Sequence, residues 1–263
     1  MVESCVVVTP WHKEQQRDEF LSAWGITESC SYLILQHDAD HEGCGFTKNK
    51  GIARAISCGF TTVVILDDDC FPTIETPTLQ SLITQHCNAL EPQPVEMFQT
   101  VTDPPSRGTP FNEHSLTMPV AASMGFWTEI GDYCAVRQLA FDCGPMEVKP
   151  QTIFGKYFPL CGMNLAFKPL DWLPWCDFID VPRFDDIWMG WLWQREAYRR
   201  KHCFNLNGPV VRHSRQSNVW ANLKDEAKFL QTNERLWSDI ATSDYDDYES
   251  LTESLLPFCC LPE

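Results

Sequence analysis

Thr62-Val63-Val64-Ile65-Leu66-Asp67-Asp68-Asp69-Cys70-Phe71 is the stretch on which the reading of this chain turns. An unbroken β-branched and apolar run reads as a buried strand, and this one delivers three consecutive aspartates to the sheet edge where it emerges. Adjacent ionised carboxylates repel one another, so the cluster is expected to hold a divalent cation rather than protonate or turn to solvent. Hard oxygen ligands favour Mn²⁺ or Mg²⁺, ions that keep positions open for phosphate oxygens, which points to a nucleotide-diphosphate site. A solvated acidic turn or a helix N-cap is the alternative reading of the tripeptide taken alone.

Upstream, residues 6–9 form a second β-branched run, which Pro10 is expected to end at a turn. A polar, helix-compatible stretch covers residues 13–24. Residues 32–35 give another buried strand, running into Gln36-His37-Asp38-Ala39-Asp40. Residues 48–59 are helical in composition, with Ile52, Ala55 and Ile56 on one face and Gly59 as the stop. Strand, helix, strand, helix, strand predicts parallel βαβ units whose ligands gather at the carboxyl ends of the strands. Asp38 and the three aspartates occupy those ends. The fold class is therefore α/β, a mixed and mostly parallel sheet flanked by helices in a single domain.

Downstream the pattern loosens. Prolines at positions 92, 94, 104, 105, 110 and 119 predict loops. Residues 123–127 and 158–167 read as short strands, with Gly125 and Gly162 allowing close backbone approach. Arg183-Phe184-Asp185-Asp186 leads into a helix in which residues 187, 188, 191 and 192 recur at helical spacing. Its first turn favours carboxylates electrostatically, so capping is the structural alternative for Asp185 and Asp186. A strand at residues 209–211 then runs into Arg212-His213-Ser214. From Ser238 the chain is acidic, with Asp244-Tyr245-Asp246-Asp247. The expected organisation is one domain over residues 1–237 and a loosely attached acidic flank over residues 238–263.

Composition narrows the function classes. With 20 Lys+Arg against 36 Asp+Glu the formal charge is −16, a field that repels polyanions and disfavours nucleic acid as a partner. Hydrophobic residues at 44%, ten of the residues being tryptophan, support a sizeable core and exclude disorder over most of the length. Thirteen cysteines are scattered without a paired framework, and the adjacent Cys259 and Cys260 do not readily bridge each other. Reduced thiols, an apolar strand directly after Met1 and no membrane-spanning run together predict a cytoplasmic protein.

The islands taken together resemble the reversibly glycosylated polypeptides, the plant-type UDP-arabinopyranose mutases of GT-A type. The matching residues are Asp67-Asp68-Asp69-Cys70-Phe71, Arg107-Gly108 with Pro110-Phe111, Gly125 with Trp127, and Asp132-Tyr133. They continue with Phe158-Pro159, Cys161-Gly162-Met163-Asn164-Leu165-Ala166-Phe167, Arg183 with Asp185-Asp186, Trp188 and Gly190-Trp191, and His213-Ser214 with Asn218 and Asn222-Leu223-Lys224. The resemblance implies a GT-A-like nucleotide-sugar domain. Asp67 and Asp69 flank a Mn²⁺ or Mg²⁺ ion, and His213 supplies a further ligand, while His12, His37, His86 and His202 are read as structural.

The resemblance also implies a substrate set. Thr9 and Pro10 shape a uracil pocket, Asp38 accepts a hydrogen bond from uracil or ribose, Asp68 joins the substrate contacts, and Arg54 balances the diphosphate. One at most of Trp127, Trp188 and Trp191 stacks on the sugar, and Asn164 and Asp132 bond its hydroxyls. Asp185 and Asp186 are the catalytic carboxylates at the reacting sugar. One departure stands out: family members carry an arginine after the Pro-Phe pair that becomes glycosylated, and this chain reads Pro110-Phe111-Asn112-Glu113-His114-Ser115. That modification site is not carried over. The expected activity is mutase-like interconversion of pyranose and furanose on a UDP-sugar, with residues 101–119 as a water-excluding lid. The alternatives are a glycosyltransferase using an external hydroxyl, and an inactive subunit of a hetero-oligomer; homo- or hetero-oligomers are possible assemblies.

Overall fold

The computed structural model describes residues 4–27, 30–39, 43–97, 107, 115–141, 143–144, 149–170, 177–178, 181, 183–215, 218–242 and 259–260. The first half contains β1 (Cys5–Trp11), α1 (Glu14–Ala23), β2 (Leu33–His37), α2 (Cys44–Ser57), β3 (Thr62–Leu66), β4 (Cys70–Phe71), α3 (Leu79–Ala89), β5 (Gln93–Glu96), β6 (Ser115–Met118), β7 (Val120–Met124) and β8 (Phe126–Glu129). The second half contains α4 (Ala135–Ala140), β9 (Thr152–Ile153), β10 (Asn164–Phe167), β11 (Asp177–Phe178), α5 (Asp185–Arg199), β12 (Cys203–Asn205), β13 (Val210–His213), α6 (Val219–Glu226), α7 (Leu230–Thr242) and β14 (Cys259–Cys260).

The molecule is α/β, with a seven-stranded mixed sheet in the order β2-β1-β3-β10-β7-β12-β9. β1 runs parallel to both β2 and β3, which are the βαβ units expected from the sequence. β10 enters antiparallel between β3 and β7, while β12 returns parallel to β7. Val6, Val7, Val8, Val63, Val64 and Leu66 are buried in one core, so the β-branched runs have both faces covered, as a central strand requires. This architecture is consistent with the GT-A-like expectation.

Several boundaries differ from the sequence reading for identifiable reasons. β1 continues through Pro10 to Trp11: β3 pairs it only as far as Val8, so the proline ring lies where one side of the strand has no ladder to lose. The expected strand at residues 123–127 is two strands in two sheets. They are split at Gly125, where an added Cβ would lie 2.2 Å from Asn164 Nδ2 and 2.4 Å from the Pro209 carbonyl oxygen. The strand expected across residues 158–167 is confined to Asn164–Phe167, because Phe158 to Met163 form the loop leading to the site. Ile56, grouped by spacing with Ile52 and Ala55, is 46% exposed.

A small second sheet, β4-β13-β8, lies beside the aspartates. β13 pairs antiparallel with β4, His213 opposite Cys70, and parallel with β8. α7 runs past Ser238 to Thr242, and the acidic run at residues 244–247 lies outside the described residues. So does most of the expected lid, Asn112 to His114 included. No helix among the described residues is long and apolar enough to cross a membrane.

Candidate active site

β3 ends at Leu66 and the chain turns at once, the Asp67 N–H donating to the Met163 carbonyl at 3.0 Å and the Cys70 N–H to the Asp67 carbonyl at 3.0 Å. The main chain at the aspartates is thereby fixed against the Cys161-Gly162-Met163 loop. β4 follows immediately, and its pairing with β13 brings His213 to Asp69 across most of the chain. The Ser214 N–H donates to the Asp69 carbonyl at 3.1 Å, and His213 Nε2 lies 3.6 Å from Asp69 Oδ2. His213 Nδ1 is 2.9 Å from the Ile130 carbonyl, so the ring proton belongs on Nδ1 and Nε2 faces the carboxylate.

Asp67, Asp69, Asp132, Asp185, Asp186 and His213 line one cleft of about 500 Å³, together with Lys48, Arg183 and Arg215. One loop residue, Gly162, joins its ends. The Gly162 N–H donates to Asp186 Oδ2 at 2.8 Å, and the Gly162 carbonyl accepts from Lys48 Nζ at 3.1 Å. Asp186 Oδ1 also accepts the Ile187 N–H at 2.9 Å, so one oxygen satisfies a first-turn N–H of α5, whose N-cap Phe184 makes no side-chain cap bond, while the other reaches across to the loop. Asp185 lies over the start of α2: an added Cβ at Gly45 would sit 1.8 Å from its Oδ2, so any larger residue there would displace the carboxylate.

The electrostatics differ around the rim. Burial, with the charges of Asp69 and Asp68, pushes the Asp67 carboxyl up to about 6 against the opposing pull of Lys48, whose Nζ is 2.7 Å from Oδ1. Burial also pushes Asp69 upward, but the bond to His213 and the charge of Arg215 outweigh it and hold the group below its ordinary value. Burial and the neighbouring Asp186 push Asp185 up to about 6. Arg183 adopts φ 74°, in the left-handed region that side chains rarely adopt, and its guanidinium reaches Asp132 Oδ1 at 3.5 Å and buried Glu226 Oε1 at 3.2 Å.

Asp67, Asp69 and His213 are of the donor types that a divalent cation takes. Asp69 Oδ1 is buried with no hydrogen-bond partner among the described residues, which is costly unless something takes it up. His213 Nε2 and the carboxylates of Asp67 and Asp69 share the same cleft. As positioned, no three His, Cys, Asp or Glu side chains among the described residues form a ready metal group, and ammonium or guanidinium groups stand at Asp67 and Asp69 instead.

The nucleotide-side expectations divide. Pro10, Asp38 and Asp68 line a second cavity of about 240 Å³ with Trp11, Thr47 and Arg215, adjoining the aspartates. Asp68 Oδ1 is paired with Arg215 Nη2 at 2.9 Å and faces this smaller cavity. Thr9 is fully buried and lines neither cavity. Arg54 is a correction: it is exposed on the last turn of α2 and lines neither cavity, and the cation this helix sends to the site is Lys48.

The sugar-side expectations need larger corrections. Trp188 is fully buried among Val181, Leu192 and Phe229, its Nε1 donating to Asn233 Oδ1 at 3.0 Å; Trp191 belongs to the same cluster. Trp127 is buried in the main core. None of the three lines the cleft, and the aromatic that does is Tyr133. Asn164 is fully buried and committed: Nδ2 donates to the Pro209 carbonyl at 2.9 Å, and Oδ1 lies 2.9 Å from His86 Nε2. It holds β10 against Gly125 and is not free for a sugar hydroxyl. Asp132 lines the cleft.

Lys48 and Arg215 were missed by the sequence reading. Lys48 had a visible signal, a lysine four and seven residues before the buried Ile52 and Ala55, on their helical face. Arg215 had none, since its partners Asp68 and Asp69 are distant in sequence. A profile of the family described as "Reversibly glycosylated polypeptide" matches residues 58–239, which hold Asp67 to Asp69, Asp185-Asp186 and His213. The chain belongs to that family. It is 33% identical over 187 residues to probable UDP-arabinopyranose mutase 1 of Pisum sativum, covering 63% of this chain and 50% of that protein. It is 32% identical over 188 residues to UDP-arabinopyranose mutase 3 of Arabidopsis thaliana (62% and 50%), and 31% identical over 193 residues to UDP-arabinopyranose mutase 1 of Oryza sativa subsp. japonica (63% and 50%). The chain spans about half the length of these curated relatives.

Proposed function

We propose that this chain is a divalent-cation-dependent UDP-sugar enzyme that interconverts the pyranose and furanose forms of UDP-arabinose. The observation that carries the reading is the meeting of Asp67, Asp69, Asp132, Asp185, Asp186 and His213 with three cationic side chains in one cleft, at the carboxyl end of β3. The names of the relatives support the choice of sugar and of reaction. Asp67, Asp69 and His213 would hold Mn²⁺ or Mg²⁺. Such an ion supplies charge for the diphosphate when the anomeric bond breaks and re-forms.

The protein groups do the rest. Arg183 and Arg215 stand where a diphosphate needs countercharge, and the smaller cavity with Pro10, Trp11 and Asp38 takes the nucleoside end. Asp186, aimed by the Gly162 N–H, offers a fixed carboxylate to a sugar carbon that gains positive character. Asp185, held near 6, exchanges a proton with a ring hydroxyl at neutral pH. A reducing cytoplasmic setting belongs to the same proposal, supported by the buried thiols Cys70, Cys161 and Cys203.

Incubation with UDP-arabinopyranose and Mn²⁺, followed by chromatographic separation of the nucleotide sugars, tests the reading. A UDP-arabinofuranose peak that disappears with chelator is the expected result. Free UDP without the furanose form replaces the mutase with transfer or hydrolysis.

A further inference from the structure

Lys48 is the one basic residue of α2 whose side chain is turned into the fold, its side chain 10% exposed. Its Nζ is 2.7 Å from Asp67 Oδ1 and donates to the Gly162 carbonyl at 3.1 Å, while the Gly162 N–H holds Asp186. A Cβ added at Gly162 would meet Asp186 Cβ at 3.3 Å and Lys48 Nζ at 3.5 Å, so a glycine keeps this junction tight. One ammonium therefore ties the Asp67 cluster to the Asp185-Asp186 pair. A buried ammonium is costly unless it is paired, and here the partner is a carboxylate that a divalent ion would also require.

We propose that Lys48 is an internal cation that occupies the Asp67 end of the site in the metal-free protein, yields Asp67 to an arriving divalent ion, and then serves the diphosphate. This rests on the metal-dependent UDP reading above. It makes Lys48 a positioning residue with two successive partners, both anionic. The exchange has a directional signature: the same side chain opposes the metal alone and supports the nucleotide with the metal. A lysine that merely holds the loop together has no reason to produce opposite signs.

The test is Mn²⁺ titration followed by electron paramagnetic resonance, without nucleotide, on wild type and Lys48→Met, and then UDP calorimetry at saturating Mn²⁺. Removing the competing charge is expected to tighten Mn²⁺ by roughly tenfold and to weaken UDP by a similar factor. Mn²⁺ affinity that is unchanged or weaker in the variant overturns the exchange. Mn²⁺ binding to neither protein removes the metal reading itself, a separate outcome. Should Lys48→Met fail to fold, wild-type acylation with mass-spectrometric readout decides the matter. Lys48 is expected to be shielded in chelator, labelled faster in Mn²⁺, and shielded again when UDP is added. Equal labelling in all three conditions overturns the proposal.

Discussion

Two aspartate groups face each other across the cleft, and they are held in opposite ways. Asp67 and Asp69 lean on charged side chains, Lys48 on the first, Arg215 and His213 on the second, while Asp68, paired with Arg215, faces the smaller cavity. Asp185 and Asp186 are held by the main chain, through the Gly162 and Ile187 N–H groups and the packing of Gly45. Partners on side chains can be exchanged for another cation. Partners in the backbone cannot, so the second pair has a fixed aim. The difference separates a place where ions trade from a place where a reacting group is oriented.

The sharpest way to break this division is at the backbone-held pair. Asp186→Asn keeps an oxygen for the Gly162 N–H and loses the charge, and it is expected to reduce turnover by about 10²–10⁴-fold while UDP affinity in Mn²⁺ stays nearly unchanged. Steady-state kinetics with parallel calorimetry measures both. If Asp186→Asn and Asp185→Asn stay active and lose only about 1 kcal/mol in urea unfolding, the two residues are helix caps and the division fails.

At the other group the expected effect is smaller and of a different kind. Asp67→Asn or Asp69→Asn should weaken metal-supported UDP binding by about 1–3 kcal/mol, through loss of a charged contact. Calorimetry with and without chelator shows it. Wild-type affinity that is equal in chelator would show that the nucleotide depends on Lys48, Arg183 and Arg215 and needs no divalent ion.

Asp185 provides a pH readout. Its carboxyl is raised from the ordinary 3.8 to about 6, mainly by burial and then by Asp186, so between those values the folded protein binds more protons than the unfolded chain. Its contribution therefore favours the folded state at low pH and is lost as the pH rises from about 4 to about 6. Asp185→Asn should accordingly gain melting temperature relative to wild type over that window, and the gain should level off above it. A difference that is flat with pH would mean that Asp185 titrates in the folded protein as it does in the unfolded chain and is not raised by burial.

Much of this was legible in the sequence where short-range chemistry decides. The β-branched runs around Val7 and Val64 had to be central strands, and three aspartates after one of them had to be exposed to a cation or to each other. The helix α3 was harder to see because its capping box is Thr78 with Ser81, without the usual Glu or Gln at the third position. The tryptophans misled because spacing tells which residues share a helix face but not whether that face meets a ligand or another helix. Trp188 meets Phe229 and α7. Arg215 was invisible, since its pairing depends on β13 docking against β4, a contact between segments far apart in the chain.

Helix α2 offers the smallest and most selective test, because it carries two cations with opposite fates. Lys48 lies inward at the junction of the two aspartate groups; Arg54, assigned to the diphosphate by resemblance, lies outward on the last turn, where a basic residue complements the helix dipole. If burial and direction decide function, Arg54→Gln removes only that dipole contact. It should cost no more than about 0.5 kcal/mol in urea unfolding and leave UDP affinity in Mn²⁺ within about twofold of wild type. The same charge is removed as in Lys48→Met, from the same helix, so any long-range electrostatic account of nucleotide binding predicts similar losses for both. A tenfold loss with Arg54→Gln would mean that the countercharge acts through the overall field of the helix and not through the cleft. Unchanged binding would confine it to the side chains that line the cleft.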